Sequence, residues 1–331
     1  MYDVVSFGSV VLDVTIRSSE FRVMKGHQIA GGVGLCQVYG GKTEVDGINV
    51  DVGGGGTNSA VSFIKKGLKA GAVVKLGDDE IGGMIKRALE KYNLGSELMV
   101  EEKGGESALS VILVDKEGGR SILTYRGVSK ELLSREIDWE KVKGSKWFYV
   151  SSLGGKMSLL EDIVAFANKQ EIKVAFNPGK AELKDKSRLE RVLGKIDVLL
   201  LNRLELAGLL GVSFDDDVEL MKGAGRLASR GLVVMTEGKK GSVAFDGEIR
   251  VRAGAYRVKS VDDTGAGDAF GSGFVYGRIK GWSLADSLKA GAANGASEVM
   301  KIGVKEGLLS ESELDKWMKK ELRLVEEKVR T

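Results

Sequence analysis

Val261-Asp262-Asp263-Thr264-Gly265-Ala266-Gly267-Asp268-Ala269-Phe270, running on through Gly271-Ser272-Gly273, carries more architectural information than any other part of this chain. Tyr256–Val261 ahead of it is strand-like, and a helix is expected from about Asp268. Gly265 and Gly267 let the backbone turn tightly and bare its N–H groups. At a helix start, those donors and the helix dipole form an anion site. Asp268 beside that site cannot serve as a ligand for the anion, since the charges repel. It is placed to take a proton from a hydroxyl approaching the anion. Taken alone, an Asp in this position also reads as a simple helix cap.

Outward from this stretch, short β-rich runs alternate with helical patterns, as in a doubly wound, mostly parallel sheet flanked by helices. Val4–Val11, Ala72–Leu76, Lys146–Val150, Lys173–Phe176, Val198–Leu201 and Leu232–Thr236 read as strands. The last four are near-continuously apolar, as parallel strands buried on both faces are. Helical patterns at Asn58–Lys69, Gly82–Tyr92, Leu159–Lys169 and Asp217–Ser229 separate them. One segment breaks the rhythm. Ser107–Val114 and Arg120–Tyr125 flank Asp115-Lys116-Glu117-Gly118-Gly119, a hairpin with no helix between. With further strands from Gly31–Val52, this predicts a small β-lid, segments 14–52 and 104–127, inserted into one α/β domain over 1–331. Ser312–Lys328 is charged and reads as a solvated amphipathic helix.

Composition narrows the function classes. With 43% apolar residues in 331, the chain has material for one large core. Its 50 basic and 47 acidic residues leave +3, without the clustered basic excess of a nucleic-acid binder. Charges or glycines interrupt every apolar stretch, so no membrane span is expected. The N-terminus reads as a strand rather than a signal peptide. Cys36 is the single cysteine, which excludes an intrachain disulfide and a cysteine-based zinc site. A reducing, cytoplasmic setting fits.

A second motif, Gly53-Gly54-Gly55-Gly56-Thr57-Asn58-Ser59-Ala60, opens the first long helix. Its glycines let a ligand touch the backbone, as at Gly54, and Asn58 can both donate to and accept from a sugar hydroxyl. With both motifs in hand, the chain resembles the ribokinase-like (pfkB-type) carbohydrate kinases. The resemblance runs in order from Gly8 to about Gly303: Gly8-Ser9 with Asp13, Gly53–Asn58, the lid hairpin, Asn202-Arg203-Leu204-Glu205, Thr236-Glu237-Gly238 with Gly241, and Asp262–Asp268. The last motif is highly specific to the family, and the others persuade by their order.

The resemblance implies an ATP-dependent kinase acting on a hydroxyl of a small sugar-like substrate. Asp268 would be the base, and Gly265, Ala266 and Gly267 the anion hole. Asp13 and Asn58 would hold substrate hydroxyls. Asn202 and Glu205 would organise the Mg²⁺ and phosphate region, and Thr236, Gly238, Gly241 and Asn294 would line the nucleotide. In family members that use a monovalent cation such as K⁺, backbone carbonyls near Asp262, Thr264 and Gly303 would ligate it. Sugar and ATP would be the partners, with neither nucleic acid nor membrane, and the lid surface could pair two subunits into a homodimer.

The chain also departs from the ribokinase pattern. Gly55 stands where ribokinases carry a lysine, and Ser151-Ser152-Leu153-Gly154-Gly155 replaces an acidic substrate residue after the strand ending at Val150. The interval from Asp13 to Gly53 is long and carries His27, which reads as a surface residue. Gly40-Gly41-Lys42-Thr43 resembles the tail of a P-loop, but Cys36 stands where its first glycine belongs and no strand precedes it. These departures keep open a nucleoside kinase and a kinase for an acidic, ketodeoxygluconate-like sugar. In the latter case Arg126 would meet a carboxylate or phosphate; otherwise it is a solvated lid charge. A non-catalytic sugar-binding sensor is the reading from another class, and an intact Asp268 argues against it.

Overall fold

The apolar runs of the sequence line up side by side in one sheet. A computed structural model describes residues 1–29, 32–228 and 231–328. In chain order its strands are β1 (Val4–Phe7), β2 (Val11–Arg17), β3 (Arg22–Lys25), β4 (Val33–Cys36), β5 (Gly47–Gly53), β6 (Ala70–Val73), β7 (Lys75–Gly77), β8 (Val100–Glu102), β9 (Leu109–Val114), β10 (Arg120–Tyr125), β11 (Trp147–Val150), β12 (Lys173–Phe176), β13 (Val198–Asn202), β14 (Leu232–Thr236), β15 (Ser242–Phe245), β16 (Ile249–Ala253) and β17 (Leu324–Lys328). The helices are α1 (Gly55–Lys65), α2 (Glu80–Glu90), α3 (Trp139–Val142), α4 (Met157–Lys169), α5 (Lys180–Lys184), α6 (Lys186–Leu193), α7 (Arg203–Leu210), α8 (Asp217–Ala228), α9 (Ala266–Ile279), α10 (Leu284–Glu298) and α11 (Glu311–Met318).

Nine strands form the main sheet in the order β17-β16-β15-β14-β13-β12-β11-β1-β6. From β6 to β14 every neighbouring pair is parallel, and β15, β16 and β17 complete one edge antiparallel. Side-chain alternation divides the core between the two faces. Val5, Phe7, Phe148, Phe176 and Leu201 point to the side covered by α4, α6 and α8. Val4, Tyr149, Leu200 and Val234 point to the side covered by α9 and α10. This is the ribokinase-like, doubly wound, mostly parallel arrangement expected from the sequence. Among the described residues no helix is long and apolar enough to cross a membrane.

The two segments predicted as a lid contribute to a separate four-stranded sheet, ordered β10-β9-β2-β5. Several expected elements differ in detail. Val4–Val11 is not one strand: the chain breaks at Gly8-Ser9, and Val11 starts β2 of the small sheet. Helix α1 starts at Gly55, earlier than Asn58, because the glycines themselves form its first turn. Ala72–Leu76 divides between β6 and β7. Gly31–Val52 yields the β3–β4 hairpin and β5, with Gly31 itself outside the described residues, as is Ser229 at the end of the predicted 217–229 helix. Residues 256–260 form no strand and lead irregularly into α9. The C-terminal segment is helical only to Met318. Leu324–Lys328 is instead the edge strand β17, whose Val325 and Glu327 stand opposite Arg252 and Arg250 of β16, with Glu327 paired to Arg250. Charges on an edge strand discourage further pairing.

Candidate active site

Helix α9 begins at Gly265, which has φ +78° and receives no side-chain cap. A side chain there would be strained by that φ and would press on Val304 at 3.2 Å. Ala266 N donates to the Asp263 carbonyl at 3.4 Å, the other backbone N–H groups of the first turn stay available, and the dipole favours an anion before them. Asp268, in this first turn, does not cap the helix. Its Oδ2 accepts a hydrogen bond from Asn58 Nδ2 at 2.9 Å. Its Oδ1 faces the glycine loop, 3.3 Å from the point where a Cβ on Gly55 would stand. The glycine that replaces a ribokinase lysine thus lies directly beside the carboxylate.

Asn58 is buried at the start of α1, and both its polar atoms are engaged. Lys305 Nζ donates to Asn58 Oδ1 at 2.6 Å, and also to the Val52 carbonyl. An ammonium only donates, so it fixes the amide oxygen toward itself and the NH₂ toward Asp268. Asn58 therefore orients Asp268, in addition to any bond to a substrate hydroxyl that its second N–H could make. Lys305 was missed in the sequence. It is fully buried, and burial lowers its ammonium to about 8, against the pull of Asp51, Asp268 and Asp13. Burial also pushes the Asp268 carboxyl up, opposed by the Asn58 bond and by Lys305. Asp13, on β2, is pushed up to about 6 by burial, opposed by a hydrogen bond from Ser110 and by Lys305.

Three cavities surround this cluster. A cleft of about 600 Å³ lies under the small sheet, lined by Asp13, Asp51, Arg120, Asp262, Thr264 and Gly303. One of about 310 Å³ is lined by Gly8, Ser110, Arg126, Ser129, Ser152 and Lys156, among others. The third, about 380 Å³, lies between the β14–β16 edge and α9–α10, where Tyr256, Phe270, Ala292, Ala296 and Val299 give it an apolar lining. Thr236, Gly238 and Gly241 line this third cavity, which also reaches Ala266 and Gly267 at the head of α9.

Asn294 does not belong there. It is fully buried, its Oδ1 accepting from Lys66 and Leu309 N and its Nδ2 donating to Ser62 and the Ala269 carbonyl. Those bonds tie α1 to α10, which corrects its expected place at the nucleotide. Gly54, with φ +98°, packs against the Ser9 carbonyl and shapes the loop rather than lining a cavity. Asn202 and Glu205 form a reciprocal capping box on α7, at 2.8 and 2.9 Å. Burial pushes the Glu205 carboxyl up. Arg203, also missed, reaches Glu237 at 2.7 Å and braces the loop below Thr236. Asp262, Thr264 and Gly303 come together: Thr264 N and Gly303 N donate to the Asp262 carboxylate at 2.9 and 3.5 Å. Arg120 on β10 reaches across to Asp262 at 2.8 Å and to Thr264 Oγ1.

The family model for "pfkB family carbohydrate kinase" matches residues 1–311. The chain belongs to the pfkB family of carbohydrate kinases. Among relatives of this kinase, a probable fructokinase-5 of Arabidopsis thaliana is 26% identical over 300 residues, covering 86% of this chain and 85% of that one. A 5-dehydro-2-deoxygluconokinase of Bacillus subtilis is 28% identical over 282 residues, covering 80% and 85%. The structure of Arabidopsis thaliana ribokinase with ribose and ATP superposes with a TM-score of 0.78 at 20% identity, covering 97% and 99%. The pfkB kinase fold is therefore common to all of them, whereas their acceptors differ.

Proposed function

We propose that this kinase moves the γ-phosphoryl group of ATP directly to a hydroxyl of a small sugar or sugar-like alcohol, with Asp268 as general base. The observation that carries the reading is the free Oδ1 of Asp268 beside the uncapped start of α9, between an apolar cavity and two polar ones. The adenine ring fits the apolar cavity, with its phosphates running toward Ala266 and Gly267 at the helix start. The acceptor fits the polar side, with one hydroxyl at Asp268 and others at Asp13 and Ser110. As the hydroxyl attacks, its proton passes to Oδ1, while Asn58 and Lys305 hold the carboxylate still. The N–H groups of Gly265, Ala266 and Gly267 meet the charge on the transferring group. No covalent enzyme intermediate is needed.

Among the described residues no group of three acidic, His or Cys side chains is set to hold a metal. Mg²⁺ is commonly bound by one or two carboxylates together with phosphates and water. Glu205 would supply the carboxylate with Asn202 beside it, and the ion would neutralise phosphate charge. K⁺ would do no more than shape the loop at Asp262, Thr264 and Gly303. A cytoplasmic location would supply ATP, and we propose a homodimer joined through the small sheet, which acts as the lid.

The test is Asp268→Asn. Asparagine keeps the size but takes no proton at neutral pH, so kcat should fall by about 10²–10⁴-fold. Binding of ATP, measured by calorimetry, and the thermal midpoint should persist. A folded variant with near-normal turnover would exclude Asp268 as the base.

A further inference from the structure

We infer that the acceptor is anionic: a polyhydroxy compound ending in a carboxylate or a phosphate, with that end held by Arg126, Lys130 and Lys156. The inference rests on the kinase reading and adds the class of substrate. All three cations line the cavity of about 310 Å³, and they come from three places in the chain. Arg126 follows β10, Lys130 lies in the short turn Gly127–Glu131, and Lys156 precedes α4. None of the three has a hydrogen-bond or ion-pair partner among the described residues. No carboxylate lines that cavity; its other polar walls are the hydroxyls of Ser9, Ser110, Thr124, Ser129 and Ser152.

Two other cations near the site, Lys75 and Arg120, are paired. Lys75 holds Glu102 at 2.5 Å and Glu136 at 2.7 Å, and Arg120 holds Asp262 at 2.8 Å. Lys130 and Lys156 also border a neighbouring groove with Glu102, Glu131 and Glu136, but Lys75 already engages two of those acids. Glu182, behind Ser152, is fully buried and turned to the backbone N–H groups of Leu153, Gly155 and Gly179. Three unpaired like charges around one concavity repel each other until an anion enters.

The field also sets the ligand's direction. Asp13, Asp51 and Asp262 line the adjoining cleft, so a negative group is repelled there. Gly8 lines the cationic cavity and packs on Ser151, whose Oγ also faces Gly55, the glycine that Asp268 Oδ1 approaches from α9. An acceptor therefore lies with its charge at Arg126, Lys130 and Lys156 and the reacting hydroxyl toward Asp268. The volume sits near the lower limit of small-molecule pockets, which favours a short sugar derivative over a nucleoside.

The test measures binding to the full chain by calorimetry, with and without ADP. The probes are glucose, gluconate and glucose 6-phosphate, and ribose, ribonate and ribose 5-phosphate. At least one anionic probe should bind tenfold or more tightly than its neutral parent, and the winner distinguishes carboxylate from phosphate. R126Q, K130Q and K156Q should each weaken it about ten- to a hundredfold. The triple variant should lose the preference while ADP still raises its Tm, which reports an intact fold. Neutral parents binding as well as every anionic probe, or a preference surviving the triple change, would overturn the inference. The kinase reading fails separately: anion preference with no phosphorylated product under Mg·ATP would keep the site and remove the transfer.

Discussion

Lys305 is the residue on which the geometry of the proposed base depends. Its ammonium orients Asn58, Asn58 orients Asp268, and the same charge faces Asp13 and Asp51. Asp13, Asp268 and Lys305 therefore influence one another's charge. To act as the proposed base, Asp268 must be ionised, and burial has moved its carboxyl above the usual range, so activity should fail as pH drops. Lys305 loses its proton above about 8, so activity should also fail there. Lys305→Met keeps the length and removes the charge. We expect kcat to fall about ten- to a hundredfold, the scale of a charged hydrogen bond. The alkaline limb near pH 8 should disappear, and the acid limb should move to higher pH because Asp268 loses the cation that favours its ionised form. A kcat–pH series on both proteins checks this; unchanged limbs would reduce Lys305 to a packing residue. Asp268 stands out in the sequence because a glycine-shaped helix start carries its own chemistry. Lys305 does not: it stands 247 residues from Asn58 in a segment with no motif, and only the fold brings the two together.

At the scale of elements, Arg120 latches the small sheet onto the loop that opens α9. It stands on β10 and binds Asp262 and Thr264, just ahead of Gly265. The position of the sheet over the cleft and the shape of the loop before α9 are thereby joined. Both partners keep some solvent exposure, so the latch is worth about 1 kcal/mol. Arg120→Ala should raise the acceptor KM about fivefold, with faster amide exchange in β10 and the 260–265 loop. ATP hydrolysis without acceptor should increase, because the lid no longer excludes water. Steady-state kinetics together with hydrogen exchange would decide; unaltered exchange would mean that the latch holds nothing. The lid hairpin was legible from two apolar runs around Gly118-Gly119. The edge strand β17 was not, because Leu324–Lys328 has no apolar run and is a strand only through pairing with β16. Likewise the β-branched residues of 256–261 suggested a strand, but no neighbouring strand is there to pair with them.

The whole molecule leaves one surface that a lone subunit does not explain. On β2 the alternate residues Asp13, Thr15 and Arg17 face the cleft, as Asn49 and Asp51 do on β5. The pleat turns the intervening residues outward. They are Val14 and Ile16 on β2, Ile48 and Val50 on β5, Val111 and Leu113 on β9, and Leu123 and Tyr125 on β10. Ile48 is 64% exposed, Val50 48%, Leu123 61% and Tyr125 54%. A continuous apolar face of this kind marks an interaction surface. Its self-complementary chemistry suits a twofold pair in which one lid covers the other. A dimer would then stiffen the strands that carry Asp13 and Arg120. Ile48→Glu combined with Leu123→Glu puts four buried charges into such an interface. The dissociation constant should rise at least about a hundredfold, since each unpaired buried charge costs several kcal/mol. Light scattering after gel filtration should report a dimer for the native chain and a monomer for the variant. The monomer should keep its fold and its nucleotide affinity, because the apolar cavity proposed for the nucleotide lies between the main sheet and α9–α10. Its acceptor KM should rise, because the lid strands have lost their support. A native chain that is monomeric at micromolar concentration would show that this face serves something other than a second copy.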